Sequence, residues 1–455
     1  MKMKRKHNAG EQGRYGQWRN LSGQARAAVL ALPCLTLLAA GCLVGPDYQA
    51  PQPQVPEQWA AQPAPPAKVS VPTEQDLARW WTIFNDPVLI SLEARALKSN
   101  LDLRQAWARL RQARAARGIA AGGLGPQVGG SASYQRSRSP YTSSRAGGSE
   151  ASIGDYYQAG FDASWELDIF GGRRRELESA DAELRAAEEA SREVRVSLAA
   201  EVARSYLDLR TLQQRAIIAR ANLAAQQHTA RLTKQRQEAG FVSGLDAANA
   251  EAQAATTAAQ IPLLESSARQ TIHALGLLLG QEPAALIAEL APSAAIPQSP
   301  PLVPAGVPSD LLRRRPDIRQ AEARLHAATA KIGVATADLF PRIYLTGGAG
   351  YQSSAFQSWF DWAGRFWNIG PSLNWRIFES GRIRANIELQ EALAEESLLA
   401  YRQTVLNSLR EVEDSLVAST AEQDHQRQVA AAVAANRRAL GLATMLYSEG
   451  QVDFL

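Results

Sequence analysis

Between residues 157 and 169 apolar and polar side chains alternate without a break. Tyr157, Ala159, Phe161, Ala163, Trp165, Leu167 and Ile169 stand against Gln158, Gly160, Asp162, Ser164, Glu166 and Asp168. A period of two puts each set on its own face of a β-strand. Residues 367–377 repeat the pattern with Trp367, Ile369, Pro371, Leu373, Trp375 and Ile377. Two weaker, glycine-rich alternations run through Val128, Gly130, Ala132 and Tyr134, and through Ile343, Leu345, Gly347, Ala349 and Tyr351. The pattern predicts four strands, at about 127–138, 156–169, 341–353 and 366–378.

The intervening segments have a different period. Residues 173–238 contain neither proline nor glycine and are rich in Ala, Glu, Arg, Leu and Gln, all good helix formers. Val194, Leu198, Val202, Leu209, Leu212, Ala216, Ala219 and Leu223 fall at spacings of three, four or seven, the seam of a coiled coil or bundle. At 1.5 Å per residue this is roughly 100 Å of helix, longer than an ordinary globular domain. Residues 382–449 repeat it, interrupted only by Gly441.

The chain is internally duplicated. Asn100–Ala106 lies over Arg315–Ala321 at an offset of about 215 residues, with Gly118 and Pro126 over Gly333 and Pro341. Ile169-Phe170 and Gly172-Arg173 lie over Ile377-Phe378 and Gly381-Arg382, and Gly240 over Gly450. Each half therefore reads helix, strand, loop, strand, very long helix, glycine turn. The expected organisation is a first repeat over 76–285 with a tip at 239–246 and a return helix at 246–280. A linker over 286–308 leads to a second repeat over 309–455, with a helix at 316–338 and a tip at 450–455.

A soluble antiparallel sheet shows the same alternation. Strands of about ten residues, and aromatic side chains at strand ends and in the loop at Phe356, Trp359, Phe360, Trp362 and Phe366, favour a membrane barrel. Four strands cannot close one, and open edges in lipid would leave backbone groups unpaired. Several chains must pool strands, as a dimer of eight or a trimer of twelve.

Charge and cysteine usage place the chain outside the cytoplasm. Seven Lys and Arg side chains against Glu11 alone lie in the first 41 residues, so their removal takes the formal charge from +4 to −2. The mature chain is not basic and gives no reason to expect a nucleic-acid partner. The basic run precedes an apolar stretch from Ala27 to Ala40, which reads as a signal peptide. It ends in Leu38-Ala39-Ala40-Gly41-Cys42, which resembles a bacterial lipobox although Ala39 stands where leucine is usual. This resemblance implies acylation of Cys42 and, with Leu43 next, passage to the outer membrane. Cys34 lies in the leader, so no disulfide is expected. A proline-rich tether follows to about residue 75.

Nothing in the chain reads as an enzyme, a cofactor site or a metal site. The five histidines are scattered, no serine sits in a nucleophile elbow, and the glycine pairs belong to strands, not phosphate loops. A non-conducting structural lipoprotein using its coiled coils as a spacer is the competing class, and the strands argue against it.

Trp80–Pro87 (WWTIFNDP), Leu311–Ile318 (LLRRRPDI) and Cys42–Tyr48 (CLVGPDY) resemble the lipoprotein, NodT or OprM, branch of TolC-like outer-membrane efflux proteins. The resemblance implies an α+β membrane protein in a homotrimer. Its twelve-stranded barrel in the outer membrane would continue into an α-helical barrel of antiparallel coiled coils crossing the periplasm. It further implies a passive duct coupled to an inner-membrane resistance-nodulation-division (RND) pump through a periplasmic adaptor. The outer channel of a type I protein secretion system is the alternative. Asp246 would line a gate at the periplasmic tip. Gly240, Phe241, Val242, Ser243, Gly244, Leu245, Gly450, Gln451 and Val452 would touch the adaptor. Arg315-Pro316-Asp317 reads as a helix start. The second tip stops at Leu455, where the family has a returning helix, and the expectation from this is a truncated gene product.

Overall fold

A computed structural model of the chain describes residues 43–60, 78–139, 152–298, 308–449 and 451. The leader, Cys42, much of the tether, Gly450 and Val452 lie outside the described residues. After a 3₁₀ turn at Trp80–Phe84 come α1 (Pro87–Ser99), α2 (Leu101–Gly122), β1 (Gln127–Ser139), β2 (Ser152–Leu167), α3 (Gly172–Glu238) and α4 (Gly244–Leu278). The short α5 (Ile287–Leu290) and α6 (Pro308–Arg314) precede α7 (Pro316–Ala337), β3 (Arg342–Ser353), β4 (Arg365–Asn374) and α8 (Arg382–Ser448).

The chain divides into two compact units that cut across the sequence repeat. Both repeats contribute to each unit. One comprises residues 1–48, 116–181 and 327–394, and holds the four strands. They form one antiparallel sheet in the order β1-β2-β3-β4. The largest departures from the alternation pattern are at two strand ends. β2 begins at Ser152, earlier than expected, because the β1 ladder continues through polar residues to the pair Ser139↔Ser152. β4 ends at Asn374, because its partner β3 begins at Arg342 and offers Trp375 and Ile377 nothing to pair with.

The duplication is visible in side-chain contacts within this unit. The Trp165 indole donates to the Leu124 carbonyl at 2.8 Å, and the Trp375 indole to the Leu339 carbonyl at 3.1 Å. The two bonds are copies of each other in the two repeats, with the leucines 215 and the tryptophans 210 residues apart. Phe170 stacks on Phe340, centroids 4.6 Å apart. The Asp168 carboxylate accepts from the backbone N–H groups of Arg173 and Arg174, which starts α3 where four orphan donors need partners.

The other unit comprises residues 49–115, 182–326 and 395–455 and holds the main core. Trp81, Leu89, Leu92 and Leu103 pack there with Leu198, Val202, Tyr206, Leu209, Ile272, Leu275 and Leu290. Asp86 starts α1 by accepting from Val88 N and Leu89 N, and its second oxygen accepts from the Tyr206 hydroxyl at 2.9 Å. Asn100 caps α2 through Leu103 N while its amide donates to the Leu278 carbonyl. Gly280 is required beside it: its φ is +65°, and a Cβ would lie 2.5 Å from the Ser99 carbonyl oxygen. Glu93 is wholly buried in this unit, and neither carboxylate oxygen has a partner among the described residues. Burial pushes its carboxyl up to about 8.

Arg315 and Asp317 meet as a helix-start pair. The Arg315 guanidinium donates to both carboxylate oxygens at 3.0 and 2.7 Å and reaches Glu411 at 2.8 Å. Burial alone would raise the Asp317 carboxyl, but Arg315 and the Ile318 N–H hold it below the usual carboxylate range.

Candidate functional site

The first functional surface is one face of the sheet. Register places Val128, Ala163, Gly347 and Ile369 in one cross-strand row, and Gly130, Phe161, Ala349 and Trp367 in the next on the same face. Phe161, Trp367 and Ile369 are each at least 70% exposed. A soluble sheet would bury such a face, and an apolar patch of this kind marks a surface meant for lipid or a partner. The row between them, Gly129, Asp162, Gly348 and Asn368, faces the other way and is polar. At 10 to 16 residues the strands are long enough to cross a bilayer.

Glycines let the strands approach closely. A Cβ on Gly160 would lie 2.7 Å from the Ala349 carbonyl oxygen, and one on Gly350 would lie 2.3 Å from that of Ala159. Around the end of β3 aromatic rings gather from the strands and from the connection to β4. Tyr157 lies 4.8 Å from Tyr134 and 5.4 Å from Trp359, Trp359 stacks on Phe360, and Phe360 meets Tyr351 edge to face. Such a cluster suits a membrane–water boundary, where one side of a ring is apolar and the other wet. Among the described residues each outer strand has a single neighbour, so β1 and β4 each keep one edge unpaired there.

The second surface is the loop between α3 and α4. α3 ends with Phe241 N donating to the Arg236 carbonyl and Gly240 N to that of Gln237, the Schellman pattern, with Gly240 at φ +82°. Ser243 and Asp246 then form a capping box. The Asp246 carboxylate accepts from the Ser243 N–H and hydroxyl, and the Ser243 hydroxyl accepts from Asp246 N. Two glycines, a serine and an aspartate thus turn the chain within the seven residues 240–246, which leaves Phe241 76% and Leu245 68% exposed. Val242 is half-buried and Gly244 begins α4. In the second tip the Gln451 N–H donates to the Leu446 carbonyl.

A clamp beside this loop was not legible in the sequence. The Tyr447 hydroxyl shares a buried hydrogen bond with Thr233 at 2.9 Å. Arg236 donates to the Tyr447 carbonyl at 2.8 Å and lies 4.7 Å from the centre of its ring. The ends of the two long helices are fastened to each other by these three residues. Their only advance signal was that all three lie within one or two turns of the glycine breaks.

A lipid-facing sheet with open edges, joined in one chain to helices of 67 residues, defines a subunit of an outer-membrane channel with a long helical extension. The family model described as outer membrane efflux protein matches residues 92–281 and 307–455. The chain is 35% identical over 434 residues to nodulation protein T of Rhizobium leguminosarum bv. viciae, covering 94% of this chain and 86% of that protein. It is 34% identical to the toluene efflux pump outer membrane protein TtgF of Pseudomonas putida, with 92% and 88% covered. Among solved structures, the outer-membrane channel OprN superposes with a TM-score of 0.83 at 38% identity, covering 91% of each chain. The open-state MtrE channel of Neisseria gonorrhoeae gives 0.74 at 26% identity, with 90% and 89% covered. The chain belongs to the outer membrane efflux protein family. It is an efflux channel of the Gram-negative outer membrane, in the TolC-like fold class of four strands per chain towards a trimeric barrel.

Proposed function

We propose that three copies of the chain pool their strands and long helices into one passive duct for small molecules. An inner-membrane RND pump energises it through a periplasmic adaptor. The observation that carries this reading is the open sheet: its two unpaired edges and exposed apolar face are satisfied together when copies close a barrel in lipid. Helices of roughly 100 Å extend the wall across the periplasm. The exposed Phe241 and Leu245, with Gly240, Val242, Ser243, Gly244, Gly450, Gln451 and Val452, form the surface that meets the adaptor. Asp246 contributes one carboxylate per chain to an acidic ring at the tip, where it attracts cations and narrows the passage. Cys42 carries the acyl anchor.

Deleting the gene in its native host tests the reading. Sensitivity to pump substrates should rise and return to normal on complementation, and the pump and adaptor should co-purify with the channel. A deletion strain of unchanged sensitivity, with no pump partner recovered, would overturn it. For the tip, D246N channels should lose block by hexamminecobalt(III) added from the tip side, with conductance retained.

A further inference from the structure

The residues directly after Cys42 do not trail freely. Val44 N donates to the Phe170 carbonyl at 3.2 Å, at the point where β2 hands over to α3. The Arg175 guanidinium, its side chain only 2% exposed, then gathers this strap. Its Nε donates to the Val44 carbonyl at 3.2 Å, and its Nη2 to the Gly45 carbonyl at 3.4 Å and to an Asp47 carboxylate oxygen at 2.6 Å. Nη1 is held from its own helix by Glu178 at 2.8 Å.

The steric frame is as specific as the bonding. Gly45 sits at φ +84°, and a Cβ there would fall 2.4 Å from the Gly333 Cα. A Cβ on Gly333 would fall 2.8 Å from the Arg175 Cγ, so α7 must present glycine where the arginine passes. On the other side Leu43 covers Gly171, whose Cβ would come within 2.9 Å of the leucine side chain. Three glycines from three separate segments clear the space for one arginine and one strap. A planar five-donor guanidinium is the side chain suited to two carbonyls and a carboxylate at once.

We propose that Arg175, Gly333 and Gly171 form a docking site for the strap Leu43–Asp47, which fixes where the acylated N-terminus leaves the protein. The inference rests on the reading of Cys42 as the anchor. Leu43, the next residue in sequence after Cys42, is held against Gly171, beside the helix-proximal end of β2. On the barrel reading, that end of the strands is the one facing the periplasm. Lipid anchor and barrel therefore enter one membrane plane in register, and Arg175 is the positioning residue that couples them.

The test places a spin label on P46C, at an exposed strap position, in wild-type, R175M and G45V trimers in liposomes, with palmitate incorporation followed in parallel. G45V leaves the receptor intact and blocks only the fit, so it covers the case in which R175M fails to fold. A C34S C42S P46C triple variant keeps the label at a single position if Cys42 is unmodified. The expected result is an immobilised spectrum in wild type and loss of the immobilised component in both variants, with palmitate incorporation unchanged. A freely tumbling label in wild type, or an immobilised one in G45V, overturns the docking site. Absence of palmitate from wild type with the label still immobilised overturns the anchor reading and leaves the strap site standing.

Discussion

Glu93 gives the folded chain a pH dependence that can be worked out in advance. Its carboxyl lies wholly buried, without a partner among the described residues, and burial pushes it up to about 8 from an ordinary value of 4.5. The folded value is raised, so its contribution to stability is complete below pH 4.5 and is lost as pH rises towards 8. Across that window the unfolded chain has released a proton that the folded chain still holds. The slope is about 1.4 kcal/mol per pH unit, or about 3 kcal/mol between pH 4.5 and 7 as an upper figure. E93Q keeps the shape and removes the titration. Hydrogen exchange of α1 peptides, corrected for the chemical exchange rate, should show protection falling with pH in wild type and a flatter profile in E93Q. Parallel profiles would refute the reasoning and would mean that Glu93 has a partner or water that keeps it charged.

Three further outcomes follow from the geometry. Y447F removes the hydroxyl bond to Thr233 and should weaken the tip clamp by about 1 kcal/mol, a roughly fivefold shift in each chain's clamp equilibrium, read as a rise in leak conductance; R236M, which loses the ring contact and the bond to the Tyr447 carbonyl, should leak too. G350V forces a side chain into the Ala159 carbonyl and should cost about 1–3 kcal/mol, read as fewer heat-resistant trimers on semi-denaturing gels. D86A removes the carboxylate oxygen that accepts from two helix-starting N–H groups and the one that accepts from Tyr206, and should destabilise α1 by about 1–2 kcal/mol, seen as faster exchange confined to that segment.

Much of the architecture was legible because it is periodic. Alternation in β2 and β4 and the heptad-like line from Val194 to Leu223 each follow from one face of an element being apolar. The structure buries Leu198, Val202, Leu209, Ala216 and Ala219 on that line. Strand ends were less legible, since they depend on where the partner strand stops: Trp375 and Ile377 continue the alternation but have no ladder to join. Of the tip, the glycines and Asp246 could be read as turn chemistry, and the capping box is their local consequence. The Tyr447–Arg236–Thr233 clamp and the Arg175 strap site could not, because their members are far apart in sequence and joined only by the fold. Arg175 in particular stands in a run of three arginines, Arg173–Arg175, that gives no sign of which one is buried.

The central claim is that copies of this chain close a conducting barrel. Single-channel recording of purified, cross-linked trimers in planar lipid bilayers tests it most directly. The account predicts discrete conductance steps from trimers that are small in wild type and larger in Y447F. Stable trimers that insert and give no steps in either form would contradict it.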